Sequence, residues 1–172
     1  VYASGLVVYP IKSAAAVPVS EWPLDRSGLR HDRSFMVVDA DGRYLTQREC
    51  PRLALVRPTP VDGGWLVEVA DQVSFTLPFR ISDGSRTTVT VWEHTGPAVD
   101  AGDEAAEAVS DLLDRPVRVV GLAPDHDRAA HEAGERAGPE RLLEVVGLEV
   151  RGPDGGPPVA AAGLEQPVEH AL

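Results

Sequence analysis

Three short segments of the chain place polar side chains beside tight turns: Tyr9-Pro10-Ile11-Lys12-Ser13, Gly28-Leu29-Arg30-His31-Asp32-Arg33 and Leu45-Thr46-Gln47-Arg48-Glu49-Cys50-Pro51. In each, the polar group lies where an extended run begins or ends, which is where β-barrels present their ligand-contacting residues. Lys12 and Ser13 offer an ammonium and a hydroxyl to a phosphate, and Arg33 offers a planar, two-pronged donor to the same anion. Arg48 is a further candidate for that group. The same residues also have a plain structural reading, with Lys12 solvated, Arg33 paired with Asp32, and Arg48 paired with Glu49 or a strand-end carbonyl. The residues alone leave both readings open.

Other reactive side chains carry less. Cys50 is the one cysteine, so no intrachain disulfide forms and no cysteine-based zinc site assembles from this chain. Its thiolate is a soft metal donor, but packing is the preferred reading. His126 and His131 are five positions apart, which is not the spacing that brings two imidazoles to one helix face, so no metal site is expected. Trp22, Trp65 and Trp92 recur in extended runs and read as core or rim packing rather than a platform for nucleic-acid bases.

The 172 residues suffice for one domain, or for one domain and part of a second. Sixteen glycines and fifteen prolines with few aromatics favour short strands joined by turns over long helices. Residues 1–60 carry eight Lys or Arg against six Asp or Glu, whereas the chain as a whole stands at −11, so the remainder is strongly acidic. That balance argues against nucleic acid as a partner, while a local cluster of Arg and Lys can still receive one small anion. No stretch approaches the ~20 apolar residues that span a bilayer, and no leader pattern opens the chain. A cytoplasmic setting without membrane attachment is expected, and the opening Val1 in place of Met points to a fragment.

The elements that must position these residues follow from the pattern. Tyr2–Tyr9 and Val17–Leu24 read as strands. Phe35–Val38 and Arg43–Thr46 form a hairpin about Asp39-Ala40-Asp41-Gly42, with Gly42 supplying a positive φ. Leu53–Arg57, Trp65–Val69, Val73–Leu77, Thr87–Trp92 and Val117–Leu122 are further strands. A helix begins at Asp103, carries apolar residues at helical spacing to Leu113, and stops before Pro116. Arg128–Ala137 and Glu140–Val146 read as helical, and Gly152–Pro158 as flexible. The expected fold is mainly β: a closed or partly open β-barrel with one short helix near 103–114 and a weakly structured, partly helical C-terminal tail. The expected division is a barrel domain over 1–122 and, over 123–172, a tail or the divergent start of a second domain.

Taken together, Tyr9-Pro10-Ile11-Lys12-Ser13, Gly28-Leu29 leading to Asp32-Arg33, Val38-Asp39 with Gly42, Leu45-Thr46-Gln47-Arg48 and Pro51-Arg52-Leu53 resemble, in order and spacing, the N-terminal β-barrel of MOSC proteins. The family includes the amidoxime-reducing components and the C-terminal part of molybdenum cofactor sulfurases, and the resemblance covers roughly residues 2–120. It implies a role beside the molybdenum cofactor (molybdopterin), with Lys12, Ser13 and Arg33 as cofactor contacts. It further implies part of a molybdenum-cofactor oxidoreductase or sulfurtransferase, acting on N-oxygenated compounds or transferring sulfur, whose partner is a downstream MOSC domain of the same chain or a redox protein. The family frequently has Cys after the Lys-Ser pair, where this chain has Ala14, and its metal-binding cysteine belongs to a downstream segment not found here. The resemblance therefore assigns these residues to binding, with no catalytic or metal-ligating residue among them. The competing reading is a non-catalytic interaction or scaffold module that kept the barrel and lost the cofactor.

Overall fold

The computed structural model describes residues 5–25, 28–123 and 141–144, the last as backbone. The chain runs through β1 (Leu6–Val8), β2 (Val17–Val19), β3 (Glu21–Asp25), β4 (Gly28–Leu29) and β5 (Phe35–Val38). After a 3-10 turn (Pro51–Leu55) come β6 (Val56–Val61), β7 (Gly64–Val69), β8 (Val73–Pro78), β9 (Arg86–Val91) and β10 (His94–Asp100). A helix, α1 (Asp103–Leu113), then leads to β11 (Arg118–Leu122) and β12 (Arg141–Glu144). The strands pair antiparallel in four small sheets ordered β1-β2, β5-β11-β10-β9, β12-β3-β4 and β6-β7-β8. These wrap a common core as a partly open β-barrel, so the expected fold class holds.

Alternation of side chains explains how β5 organises the core. All four of its residues are buried, with Phe35 and Val37 in the large cluster and Met36 and Val38 in a smaller one. Successive strand residues face opposite ways, so β5 separates two apolar bodies. Val119 and Val120 of β11 divide in the same manner. The large cluster holds Ile11, Leu53, Leu77 and the fully buried Trp65, which lies against Trp22 at 5.6 Å. The smaller cluster includes Tyr44 and thereby underlies the polar turns. α1 packs against β11, β8, β7 and the 3-10 turn through Ala105, Ala106, Val109 and Leu112.

Several local expectations are corrected. Val17–Leu24 is two strands, broken at Ser20, rather than one. Pro51 presets the first residue of the 3-10 turn, so the strand expected from Leu53 begins only at Val56. That strand then extends through Pro58 and Pro60, because β6 has a partner on one side only and the intervening residues carry the ladder to β7. β10 was not expected, since Gly96 and Pro97 read as loop. Pro97 pairs only with Thr88 of β9, while β11 pairs β10 from Ala98 onward, so the missing donor falls where the second neighbour is absent. Residues 141–144, expected within a helix, form a strand whose Leu142 is opposite Pro23 of β3; Arg128–Ala137 and Gly152–Pro158 lie outside the described residues.

The hairpin after β5 is confirmed at its turn and altered beyond it. Gly42 has φ 75°, and a Cβ there would stand 2.6 Å from the Thr88 carbonyl oxygen, which only glycine avoids. The Asp39 carboxylate accepts the Asp41 and Arg43 N–H groups at 3.1 and 2.9 Å. Past the turn, Tyr44 makes one bridge to Val38, and Arg43 bridges in parallel to Thr90 of β9. The second limb is thus drawn away from β5 before it can pair along its length.

Arg118 joins the helix to the sheet. Its guanidinium donates to Asp100 at 2.6 Å through Nε and, through Nη2, makes a second, shorter bond; Nη1 donates to Asp103 at 2.8 Å. Hydrogen bonding from Arg118 holds the Asp100 carboxyl below the ordinary value of 3.8, and the bond from the Gly102 N–H adds to it. A depressed folded value means that the stabilisation is complete well above 3.8 and is lost as pH falls through the folded value. Asp100→Asn is therefore expected to lower stability at pH 7 by about 1–2 kcal/mol, given the partial exposure of Arg118. Urea unfolding at pH 7 and near pH 2.5 should show the gap from the parent closing in acid; an equal gap at both would contradict the assignment.

Candidate functional site

The polar turns are brought together by main-chain bonds. Arg33 N–H donates to the Tyr9 carbonyl at 2.6 Å, Phe35 N–H to Pro10 at 3.0 Å, and Lys12 N–H to Phe35 at 2.8 Å. These stitch residues 9–12 to residues 33–35, although more than twenty positions separate them in the chain. Asp32 completes the seam: one carboxylate oxygen accepts the Tyr9 N–H at 2.8 Å and the other accepts Arg33 Nη1 at 2.6 Å. Arg33 also lies over the Tyr9 ring, 5.9 Å from its centroid. The structural pairing of Arg33 with Asp32 and its place beside Lys12 are both present.

Beside this seam is an open depression of about 810 Å³. Lys12, Ser13 and Arg33 all line it, and so does Arg48. The Lys12 ammonium stands 5.0 Å from the centre of the Tyr44 ring. Thr46 adds a second hydroxyl, and its carbonyl accepts the Glu49 and Cys50 N–H groups, which closes the turn that carries Arg48. Gln47 Nε2 donates to the Ala14 carbonyl at 3.3 Å and ties that turn to the Lys12 segment. Four cationic side chains, Lys12, Arg33, Arg43 and Arg48, face a single lining carboxylate, Glu49, on a chain of net charge −11. Glu49 is bound to Arg43. The pairing of Arg48 with Glu49 allowed by the sequence does not form, and Arg48 has no carboxylate partner among the described residues.

Backbone conformation at the site is unusual. Ser13, Arg33 and Trp92 have φ of 65°, 51° and 57°, in the left-handed region that favours glycine. Such residues cost on the order of 1 kcal/mol each and persist where the surroundings impose them. At Arg33 the imposing contact is the seam to Tyr9; at Ser13 it is the bond of the Ala14 N–H to Ile11 at 3.0 Å.

Tyr44, Arg43, Thr90 and Trp92 also line the depression and were not singled out as site residues. Their arrival depends on the parallel bridge from Arg43 to Thr90, a long-range contact with no local sequence signal. Trp65 and Trp22 pack in and against the core as expected, whereas Trp92 stands at the rim of the depression. Cys50 packs against the large core cluster and is absent from the depression's lining, which favours its packing role. Among the described residues no cluster of His, Cys, Asp or Glu is placed to hold a metal, and no helix is long and apolar enough to cross a membrane. His126 and His131 lie outside the described residues.

A cation-lined depression thus lies between the turns of a partly open β-barrel domain. The sequence matches the MOSC N-terminal beta barrel domain over residues 1–116, and the chain belongs to that family. It is similar to proteins named molybdenum cofactor sulfurase: 32% identical over 115 residues to that of Drosophila yakuba, 30% over 149 to that of Drosophila willistoni and 30% over 128 to that of Danio rerio. These matches take in 63%, 82% and 71% of this chain but only 15%, 18% and 15% of the relatives, so the chain spans under a fifth of their length. A Bordetella bronchiseptica protein solved in solution aligns with a TM-score of 0.49 and 25% identity, over 59% of this chain and 86% of its own.

The seam predicts a graded response at Asp32. Asp32→Ala removes an acceptor from the Tyr9 N–H and one ionic partner of Arg33, and is expected to cost about 1–3 kcal/mol. Asp32→Asn keeps a carbonyl for the Tyr9 N–H and should lose clearly less. Chemical denaturation of both variants checks this, and equal losses would show that the N–H bond contributes nothing.

Proposed function

We propose that the depression receives the phosphate end of the molybdenum cofactor, and that this barrel forms one wall of a cofactor pocket completed by a downstream MOSC domain of a longer chain. The observation that carries the reading is the charge of the lining: four cations against one carboxylate, on an otherwise acidic protein. A phosphate monoester bears close to two negative charges at neutral pH and takes charge-assisted donors. Lys12, Arg33 and Arg48 would supply such donors, and Ser13 and Thr46 hydroxyls; the family and the ordered motifs support the choice of ligand.

The fit is to the phosphate end alone. Cys50, the one thiol, is not in the lining, so the described residues offer the metal no thiolate there. The bound cofactor supplies the molybdenum chemistry, and this domain's part is to hold and orient the anion. The relatives' name favours sulfur transfer involving the cofactor over reduction of N-oxygenated compounds as the activity of the whole protein. A cytoplasmic setting goes with either activity.

Calorimetric titration with a phosphate monoester at low ionic strength tests the reading. Lys12→Ala and Arg48→Ala are each expected to weaken binding by roughly ten-fold, and added salt to weaken the parent. Affinities equal to the parent in both variants would remove the site from consideration.

A further inference from the structure

His31 belongs to the turn that carries Asp32 and Arg33, yet it does not line the depression. The Asp32 N–H closes this turn by donating to the Leu29 carbonyl at 3.1 Å, and His31, its third residue, has φ of 63°, where glycine is favoured. A ring contact accompanies the strained backbone: the imidazole lies flush on Phe79, with centroids 4.6 Å and planes 11° apart. Phe79 stands edge-on to the fully buried Trp65 at 5.3 Å, and its N–H donates to the Gly63 carbonyl at 3.2 Å, so the surface under His31 is fixed. On the other side of His31, Arg30 is tied to β3: its N–H donates to the Pro23 carbonyl at 2.8 Å, and its carbonyl accepts Trp22 Nε1 at 2.6 Å. The stack on Phe79 thus seats the part of the turn next to Asp32.

The surroundings of the imidazole disfavour a proton. Among the described residues, Arg30 of the turn itself and Arg80 of the segment after β8 oppose a positive ring, and Asp25 at the end of β3 favours one. Burial, then Arg30 and Arg80, hold His31 below its ordinary value of 6.5 despite Asp25. A base with a depressed folded value contributes its full stabilisation above 6.5 and loses it as pH falls below.

We propose that His31 is a proton-operated latch on the anion site: the neutral ring seats the turn on Phe79, and the imidazolium, repelled by Arg30 and Arg80, releases the turn and with it the Asp32 seam. One proton is taken from solvent at a ring nitrogen. Without the stack, the left-handed backbone at His31 loses a contact that imposes it. Asp32, the next residue, then no longer holds the Tyr9 N–H and Arg33 in one register. The consequence, which rests on the anion reading of the depression, is release of a bound anion on acidification.

The test compares the full chain with His31→Phe, which keeps a ring for Phe79 and takes no proton. Sulfate is the probe, because its charge is constant over the range used. In the parent, sulfate affinity should be about five-fold weaker near pH 5 than near pH 7.5, whereas His31→Phe should keep its affinity. Without ligand, hydrogen exchange at the Tyr9 and Arg33 amides should be about five-fold faster in the parent than in His31→Phe near pH 5, and equal near pH 7.5. Arg80→Ala, which leaves the depression's lining intact, should shrink the parent's loss in acid. Exchange that differs between parent and His31→Phe equally at both pH values makes His31 a packing residue, and overturns the latch while leaving the anion reading in place. A full loss of sulfate affinity in acid that persists in His31→Phe does the same. Absence of sulfate binding near pH 7.5 overturns the anion reading, and the exchange comparison then decides the latch by itself. Should His31→Phe fail to fold, an acid loss in Arg80→Ala equal to the parent's overturns the latch.

Discussion

The carboxylate of Asp32 is the contact on which the site depends. It holds the main chain at Tyr9 with one oxygen and the guanidinium of Arg33 with the other. Because the adjoining main-chain bonds run between residues 9–12 and 33–35, a single half-buried acid fixes two distant turns in one register. The left-handed backbone at Arg33 is a consequence, tolerated because the seam over-determines it. Arg33 is therefore committed structurally, and its guanidinium enters the depression already neutralised in part. Arg48 lines the same depression and has no carboxylate partner among the described residues.

The two-cluster core explains why the depression keeps its shape. β5 delivers Phe35 and Val37 to one body and Met36 and Val38 to the other, and the second body ends in the Tyr44 ring beneath Lys12. Arg118, which ties the start of α1 to β10 and β11, fixes the remote side of the same four-stranded sheet. Rigid elements thus carry the turns, and the polar side chains need little reorganisation to meet a ligand.

Much of this was legible in the sequence wherever the signal was local. The turn at Asp39–Gly42, the helix from Asp103 and the runs at Trp65 and Val73 follow from glycine, acids in the first helical turn and β-branched residues read in place. The ordered motifs around Lys12, Arg33 and Thr46 identified the family and selected residues that share one depression. Contacts made across the chain were not legible. β10 was hidden because Pro97 is admissible only where β11 has not yet begun to pair, a fact of register. Tyr44 and Trp92 enter through the bridge from Arg43 to Thr90, and the strand at Arg141–Glu144 exists by pairing with β3, which overrides the helical tendency of its residues.

The central claim is that turns separated in sequence form one anion-binding surface. Backbone amide chemical shifts, followed by NMR during titration with a phosphate monoester at low ionic strength, test it most directly. Perturbations gathered at residues 9–14, 32–35 and 44–48 are predicted, saturating together with one affinity. Shifts confined to the Arg118 region, or scattered over the surface without saturation, would contradict it.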